Sequence, residues 1–140
     1  MHKGDNLLYI LTMLEAIEKV FLFADRFDSS KSFFETEDQL FFHASSHLLL
    51  AVGEESKKLD NELKLSYPDI PWKAIAGMRD RLAHDYRGIN YDLVFSVAKQ
   101  DLPPLKDALI NMLNLIDFDP FELEAALSSD YYKHLKFLKS

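Results

Sequence analysis

Asp5-Asn6-Leu7-Leu8-Tyr9-Ile10-Leu11-Thr12-Met13-Leu14-Glu15-Ala16-Ile17-Glu18-Lys19-Val20-Phe21 is the stretch that decides the fold class. Its apolar residues Leu7, Ile10, Leu11, Leu14, Ile17, Val20 and Phe21 return every three or four positions, the period of one face of an α-helix. Glu15, Glu18 and Lys19 fall off that stripe. The spacing predicts an amphipathic helix from Asp5 to about Phe27. Asp28-Ser29-Ser30-Lys31-Ser32 then breaks the pattern with short polar side chains that compete for the backbone, and reads as the longest loop.

Working outward, Thr36 with Gln39 three residues later has the form of a capping box. A second long helix is expected through Leu40, Ala44, Leu48, Ala51, Val52, Leu59 and Leu63, to about Leu65. Tyr67-Pro68 stops it, since proline lacks the ladder amide and disfavours helix in the residue before it. Pro71 suits the first turn of a third helix ending near Tyr86 or Arg87, where Gly88 can adopt a left-handed terminus. A short helix from Asn90 to Ala98 follows. Pro103-Pro104 open another, with the stripe Leu105, Leu109, Met112, Leu113 and Ile116, and Asp119-Pro120 with Glu122 start a last one. No strand alternation, internal repeat or low-complexity tract is visible. Gly53 inside a helical pattern costs roughly 1 kcal/mol relative to alanine, which points to close helix packing there.

The third helix carries Arg79-Asp80-Arg81-Leu82-Ala83-His84-Asp85-Tyr86: two cations, an imidazole and a phenol within about two helical turns, the groups that phosphate chemistry uses. Around this run stand Trp72-Lys73-Ala74-Ile75-Ala76-Gly77-Met78 and Arg87-Gly88-Ile89-Asn90-Tyr91-Asp92. With these, Asp5-Asn6-Leu7-Leu8-Tyr9-Ile10-Leu11, Leu14 to Lys19, Val52 to Leu59, Tyr67 to Trp72 and Asp101-Leu102-Pro103-Pro104-Leu105 occur in one order. In this the chain resembles the HepT-like proteins of the HEPN superfamily, helical toxins encoded beside a minimal nucleotidyltransferase that serves as antitoxin. The resemblance implies an all-α, antiparallel bundle of HEPN type, of roughly four to six helices, that forms a homodimer. It implies a metal-independent ribonuclease acting on tRNA or mRNA without a cofactor. The positions matching Arg79 and His84 would be catalytic, and the one matching Tyr86 would accept AMP from the nucleotidyltransferase partner. Where many relatives carry an arginine six residues before Gly53-Glu54, this chain has His47. The segment from 118 to 140 extends past the family core.

The spacing bears on the chemistry directly. Asp80 and His84, four apart, share a helical face, so the carboxylate can orient the imidazole and favour its protonated form. Arg81 is a supporting cation, or an ion-pair partner of Asp80 or Asp85. Arg79 and His84 are five apart and about 140° separated on a straight helix. Either distortion at the frayed helix end or a twofold dimer must bring them to one phosphate, and the dimer is the reading favoured here. His43 and His47, four apart, have metal-binding spacing without an evident third ligand, which leaves an interface or cleft-lining role. Phe33-Phe34 and Phe41-Phe42 do not fit one stripe, so some are expected to meet a partner subunit. Asp117 and Asp119 read as helix-end carboxylates.

Composition narrows the class. At 140 residues the chain is expected to be one domain, 1–140. With no cysteine, disulfide frameworks, thiolate metal sites and cysteine nucleophiles are excluded, in keeping with a cytoplasmic location. No apolar run approaches the roughly twenty residues that span a bilayer, so no membrane partner is expected. A net charge of −7 opposes unspecific RNA binding, although Arg79, Arg81 and Arg87 fall within nine residues and a local field can oppose the net sign. The chain lacks a Gly-Ser loop followed by paired aspartates and so is not the transferase itself. The alternative reading is a non-catalytic module that presents a nucleotide or substrate to that transferase.

Overall fold

The computed structural model describes residues 5–84 and 91–139, of His84 and Ala83 the backbone, and among these residues helices are joined by turns and loops, with no strand. The all-α expectation holds, but the helices are shorter and more numerous than the stripes suggested, because tertiary contacts and glycines break them.

α1 (Asp5–Ala24) buries Leu7, Ile10, Leu11, Leu14, Ile17 and Val20 completely, and ends three residues early where Phe27 N–H bonds back to the Ala24 carbonyl. The expected loop at 28–32 is instead the start of α2 (Ser30–Glu35). Ser29 is its N-cap and accepts from the Ser32 amide at 3.2 Å, so the serines that read as a loop nucleate a helix. The capping box does not form either. Thr36 Oγ1 donates to the Ser32 carbonyl at 2.7 Å, closing α2, and Glu37, Asp38 and Gln39 take left-handed φ values of 52°, 55° and 70° before α3 (Leu40–Lys58) begins.

The second helix was expected to reach Leu65; it stops at Lys58, and α4 (Asn61–Leu65) follows after an extended Leu59. The cause lies in α1. Asn6, 3% exposed, accepts from the Asp60 amide at 3.3 Å and donates to the Asp60 carboxylate at 3.0 Å, which holds that residue out of the helix. Trp72 Nε1 donates to the carbonyls of Lys64 and Tyr67, 3.0 and 3.1 Å away, sealing the turn around Pro68. The third helix is also two pieces, α5 (Trp72–Ala76) with Pro71 at its N-cap and α6 (Met78–His84), separated by Gly77 at φ −84°, ψ 11°.

α7 (Tyr91–Ser96) runs through a widened turn at Val97–Asp101 into α8 (Leu102–Met112). Pro103 and Pro104 have no amide for the carbonyls of Lys99 and Gln100, and the Leu102 amide bonds five residues back, to Val97. α9 (Pro120–Leu127) starts as expected at Asp119, whose carboxylate accepts from the Phe121 amide at 2.9 Å. A run of tight turns, Asp130–Leu138, completes the chain.

α1 and α3 form the antiparallel centre: Asn6 meets Asp60 at one end, and Phe23 meets Phe41 with ring centroids 5.9 Å apart at the other. α8 and the C-terminal segment cover α1, α5 and α6 cover α3, and α2 packs on α7. Phe33, Phe34, Phe41 and Phe42, some of which are expected to meet a partner subunit, all make ring contacts within the chain, and Phe34 and Phe42 stay partly exposed. Phe33 is fully buried against Phe27, Phe42 and Phe95, while Phe34 lies parallel to Tyr91 at 4.6 Å.

Candidate functional site

Glycine positions the helix that carries the Arg-His run. At Gly53 of α3 an added Cβ would stand 2.7 Å from the Ile75 carbonyl oxygen and 3.3 Å from Met78 Cβ, so only glycine lets the α5–α6 junction settle this closely. Met78 is buried at the contact, 2% exposed, and anchors the first turn of α6 on α3. Gly77 relaxes the backbone just before it. From this anchor α6 presents Arg79 and Asp80 to solvent and leaves Arg81 and Leu82 half-buried.

Arg79, Asp80, Arg81 and position 84 therefore stand on one short helix, and the break at Gly77 lies before all of them. α6 keeps helical backbone through His84, so the ideal-helix separation of positions 79 and 84, about 140°, stands within the chain. Positions 80 and 84 are one turn apart. Among the described residues, Arg81 makes no ion pair with Asp80; Asp85, the other partner considered, and Tyr86, Arg87, Gly88 and Asn90 lie outside the described residues. Of the α6 side chains, Arg79 and Asp80 are the exposed ones among the described residues. The hollow of about 590 Å³ lined by Glu18, Phe21, Asp25 and His134 is built by α1 and the C-terminal segment instead.

His43 and His47 are both exposed on α3, and the His43 ring lies edge-on to Phe42 at 5.1 Å. Among the described residues no group of three or more His, Asp or Glu is arranged to hold a metal ion. Among the described residues no helix is long and apolar enough to cross a membrane. Glu15, read as a residue of the solvent face, is 1% exposed: the C-terminal segment lies over it, with the His134 amide donating to its carboxylate at 2.9 Å. The role of Gly53 was legible as a helical glycine; the break at Gly77 was not, since one glycine in a helical pattern does not say whether the helix continues.

Residues 13–112 match the family model described as "Ribonuclease HepT-like". Two candidate RNases of Methanocaldococcus jannaschii are similar to the chain over 106 residues each. One is 29% identical, covering 76% of this chain and 94% of the relative, and the other 30% identical, covering 76% and 85%. A Thermococcus cleftensis protein named "Probable ribonuclease HepT" is 42% identical over 55 residues, 39% of this chain and 50% of its own. No solved structure matches. The matched region contains α6 whole and stops at the end of α8, so α9 and the C-terminal segment lie beyond it.

Proposed function

Since the chain belongs to the HepT-like ribonuclease family and is a ribonuclease, we propose that it is the toxin of a toxin–antitoxin pair, a metal-independent endoribonuclease whose active site is built from Arg79 and His84. It acts in the cytoplasm on tRNA or mRNA, as a homodimer, and a cognate minimal nucleotidyltransferase silences it by adenylylating Tyr86. The observation that carries this reading is an exposed Arg79 on a helix that ends at His84, inside the region shared with the family.

In the reaction the ribose 2′-oxygen loses its proton and bonds to the adjacent phosphorus. The bond from phosphorus to the 5′-oxygen breaks, and that oxygen takes up a proton. His84 moves the proton, and the planar Arg79 fork holds the non-bridging oxygens as charge builds on them. The products are a 2′,3′-cyclic phosphate and a free 5′-hydroxyl. Asp80, one turn before His84, orients the imidazole, and Arg81 supplements the local positive field. Because α6 stays helical through His84, a twofold pairing of subunits is the simplest way to bring an arginine and a histidine to one phosphate. AMP on Tyr86 adds bulk and negative charge two residues past His84, blocking RNA and competing for Arg79.

The test is incubation of total tRNA and mRNA, in EDTA, with the purified protein and with its His84→Ala variant. Cleavage ending in 2′,3′-cyclic phosphate is expected from the wild type, with the variant at least about 100-fold slower and equally stable to heat. Wild-type protein free of AMP by mass that cuts no RNA overturns the proposal and points to the module that serves the transferase without cutting.

A further inference from the structure

The flank of α3 beside α6 holds two histidines that the chemistry above does not use. α6 is anchored at its first residue, where Met78 meets Gly53. The chain next enters the described structure at Tyr91, which lies on Phe34, itself edge-on to Phe42 at 5.2 Å. Phe42 is eleven residues before Gly53 on the same helix, about three turns away. α6 thus runs back along α3, toward its N-terminal half.

That antiparallel register decides which side chains share a flank. Counting about 100° per residue from Gly53, which faces α6, His43 and His47 lie roughly 80° and 120° round α3, on the side away from α1. Counting likewise from Met78, which faces α3, Arg79 lies about 100° round α6; because the two helices run in opposite directions, the two rotations lead to the same side of the pair. His43 and His47 are spaced one turn apart along this side, and both are exposed. Glu54, the carboxylate that α3 adds to the same side, is paired with Lys57 at 3.3 Å, while Glu37 and Asp38 close the far end. In a chain of net charge −7, this side carries a row of groups able to donate hydrogen bonds to phosphate.

Resting on the ribonuclease reading above, we infer that His43 and His47 bind backbone phosphates of single-stranded RNA next to the phosphate held by Arg79, so that the substrate strand lies along α3. Each imidazole donates an N–H to a phosphate oxygen and adds charge when protonated. The His43 ring lies edge-on to Phe42, with its Nε2 3.4 Å from Gln39 Oε1, a contact that a phosphate oxygen would replace.

The test uses the full-length protein and a fluorescent 2′-O-methyl RNA 12-mer, which lacks the attacking hydroxyl and stays intact. Anisotropy gives Kd between 50 and 300 mM salt for the wild type, for His43→Gln with His47→Gln, and for His43→Arg with His47→Arg. The glutamine pair is expected to weaken binding at least about fivefold, and the arginine pair to restore it and to steepen the salt dependence relative to the glutamine pair. A glutamine pair with wild-type Kd overturns the inference, as does wild-type protein that does not hold the probe. It is also overturned if the loss is not restored by arginine and comes with a change in molecular mass, which would make this side a contact between copies of the chain. Cleavage of natural RNA, measured beside it, separates the two readings: binding through the histidines without cleavage removes the nuclease proposal alone, and cleavage with an unchanged Kd removes this one alone.

Discussion

Gly53 and Asn6 show how single residues fix neighbouring elements, Gly53 the approach of the α5–α6 junction to α3 and Asn6 the break between α3 and α4. A methyl group at Gly53 meets a backbone oxygen at 2.7 Å, which cannot swing aside as a side chain would. Alanine gains roughly 1 kcal/mol in helix propensity but forces α5 and α6 off α3, and overpacking of this kind costs typically about 1–3 kcal/mol. Gly53→Ala is therefore expected to be no more stable than the wild type by thermal unfolding, and to lose activity as α6 shifts; a clear rise in Tm with full activity would show the approach to be looser than described. Asn6 joins the start of α1 to the α3–α4 break through two hydrogen bonds in a largely buried setting. Asn6→Ala leaves the Asp60 amide without its partner and is expected to cost about 1–3 kcal/mol in a denaturant titration, with an unchanged slope.

At the scale of elements, the C-terminal segment is the part most dependent on a few polar contacts. Glu15 accepts from the His134 amide, meets His134 Nδ1 at 2.5 Å and lies 3.7 Å from Lys19, while Thr12 and Tyr132 share a hydrogen bond at 3.0 Å. Leu135 and Leu127 add apolar anchoring, 0% and 2% exposed. Removing the carboxylate takes from the His134 amide and imidazole the acceptor they share. Glu15→Ala is expected to raise amide hydrogen exchange over residues 130–138 at least about tenfold while α3 keeps its protection. Equal exchange in the variant would place the anchoring in Leu127 and Leu135 instead. The two prolines act on their own element in a similarly specific way: they do not end the helix from α7 to α8 but widen it by one residue per turn at Val97–Asp101.

For the whole molecule, the question is whether one chain or two complete the proposed active site. Arg79 and position 84 diverge by about 140° on α6, and nothing in the described backbone between them bends the helix. If each site takes its arginine from one subunit and its histidine from the other, mixing inactive Arg79→Ala and His84→Ala proteins under conditions of subunit exchange restores activity. With random pairing about half the dimers are mixed and each holds one intact site, so about a quarter of wild-type activity is expected. No recovery, with exchange verified by mass, places both residues of a site on one chain.

The helical class, α1, the stop at Pro68 and the cap at Asp119 were legible because they rest on local physics: period, missing amides and short polar side chains next to free N–H groups. The Arg79 to Tyr86 run stands out in the sequence as a candidate site for the same reason, since residue types and spacing need no partner to be read, and its chemistry is the proposal made above. The breaks at Leu59 and Gly77, the burial of Glu15 and the inward packing of Phe33 and Phe41 were not. Each depends on a group distant in sequence: Asn6 for Leu59, α3 for the α5–α6 junction, His134 for Glu15, Phe95 for Phe33 and Phe23 for Phe41. What this sequence determined by itself is which faces are apolar and which residues are candidates to move a proton or hold a phosphate. The tertiary structure alone decided where the helices end and which of those faces meet, because both follow from contacts that exist only once the chain has folded.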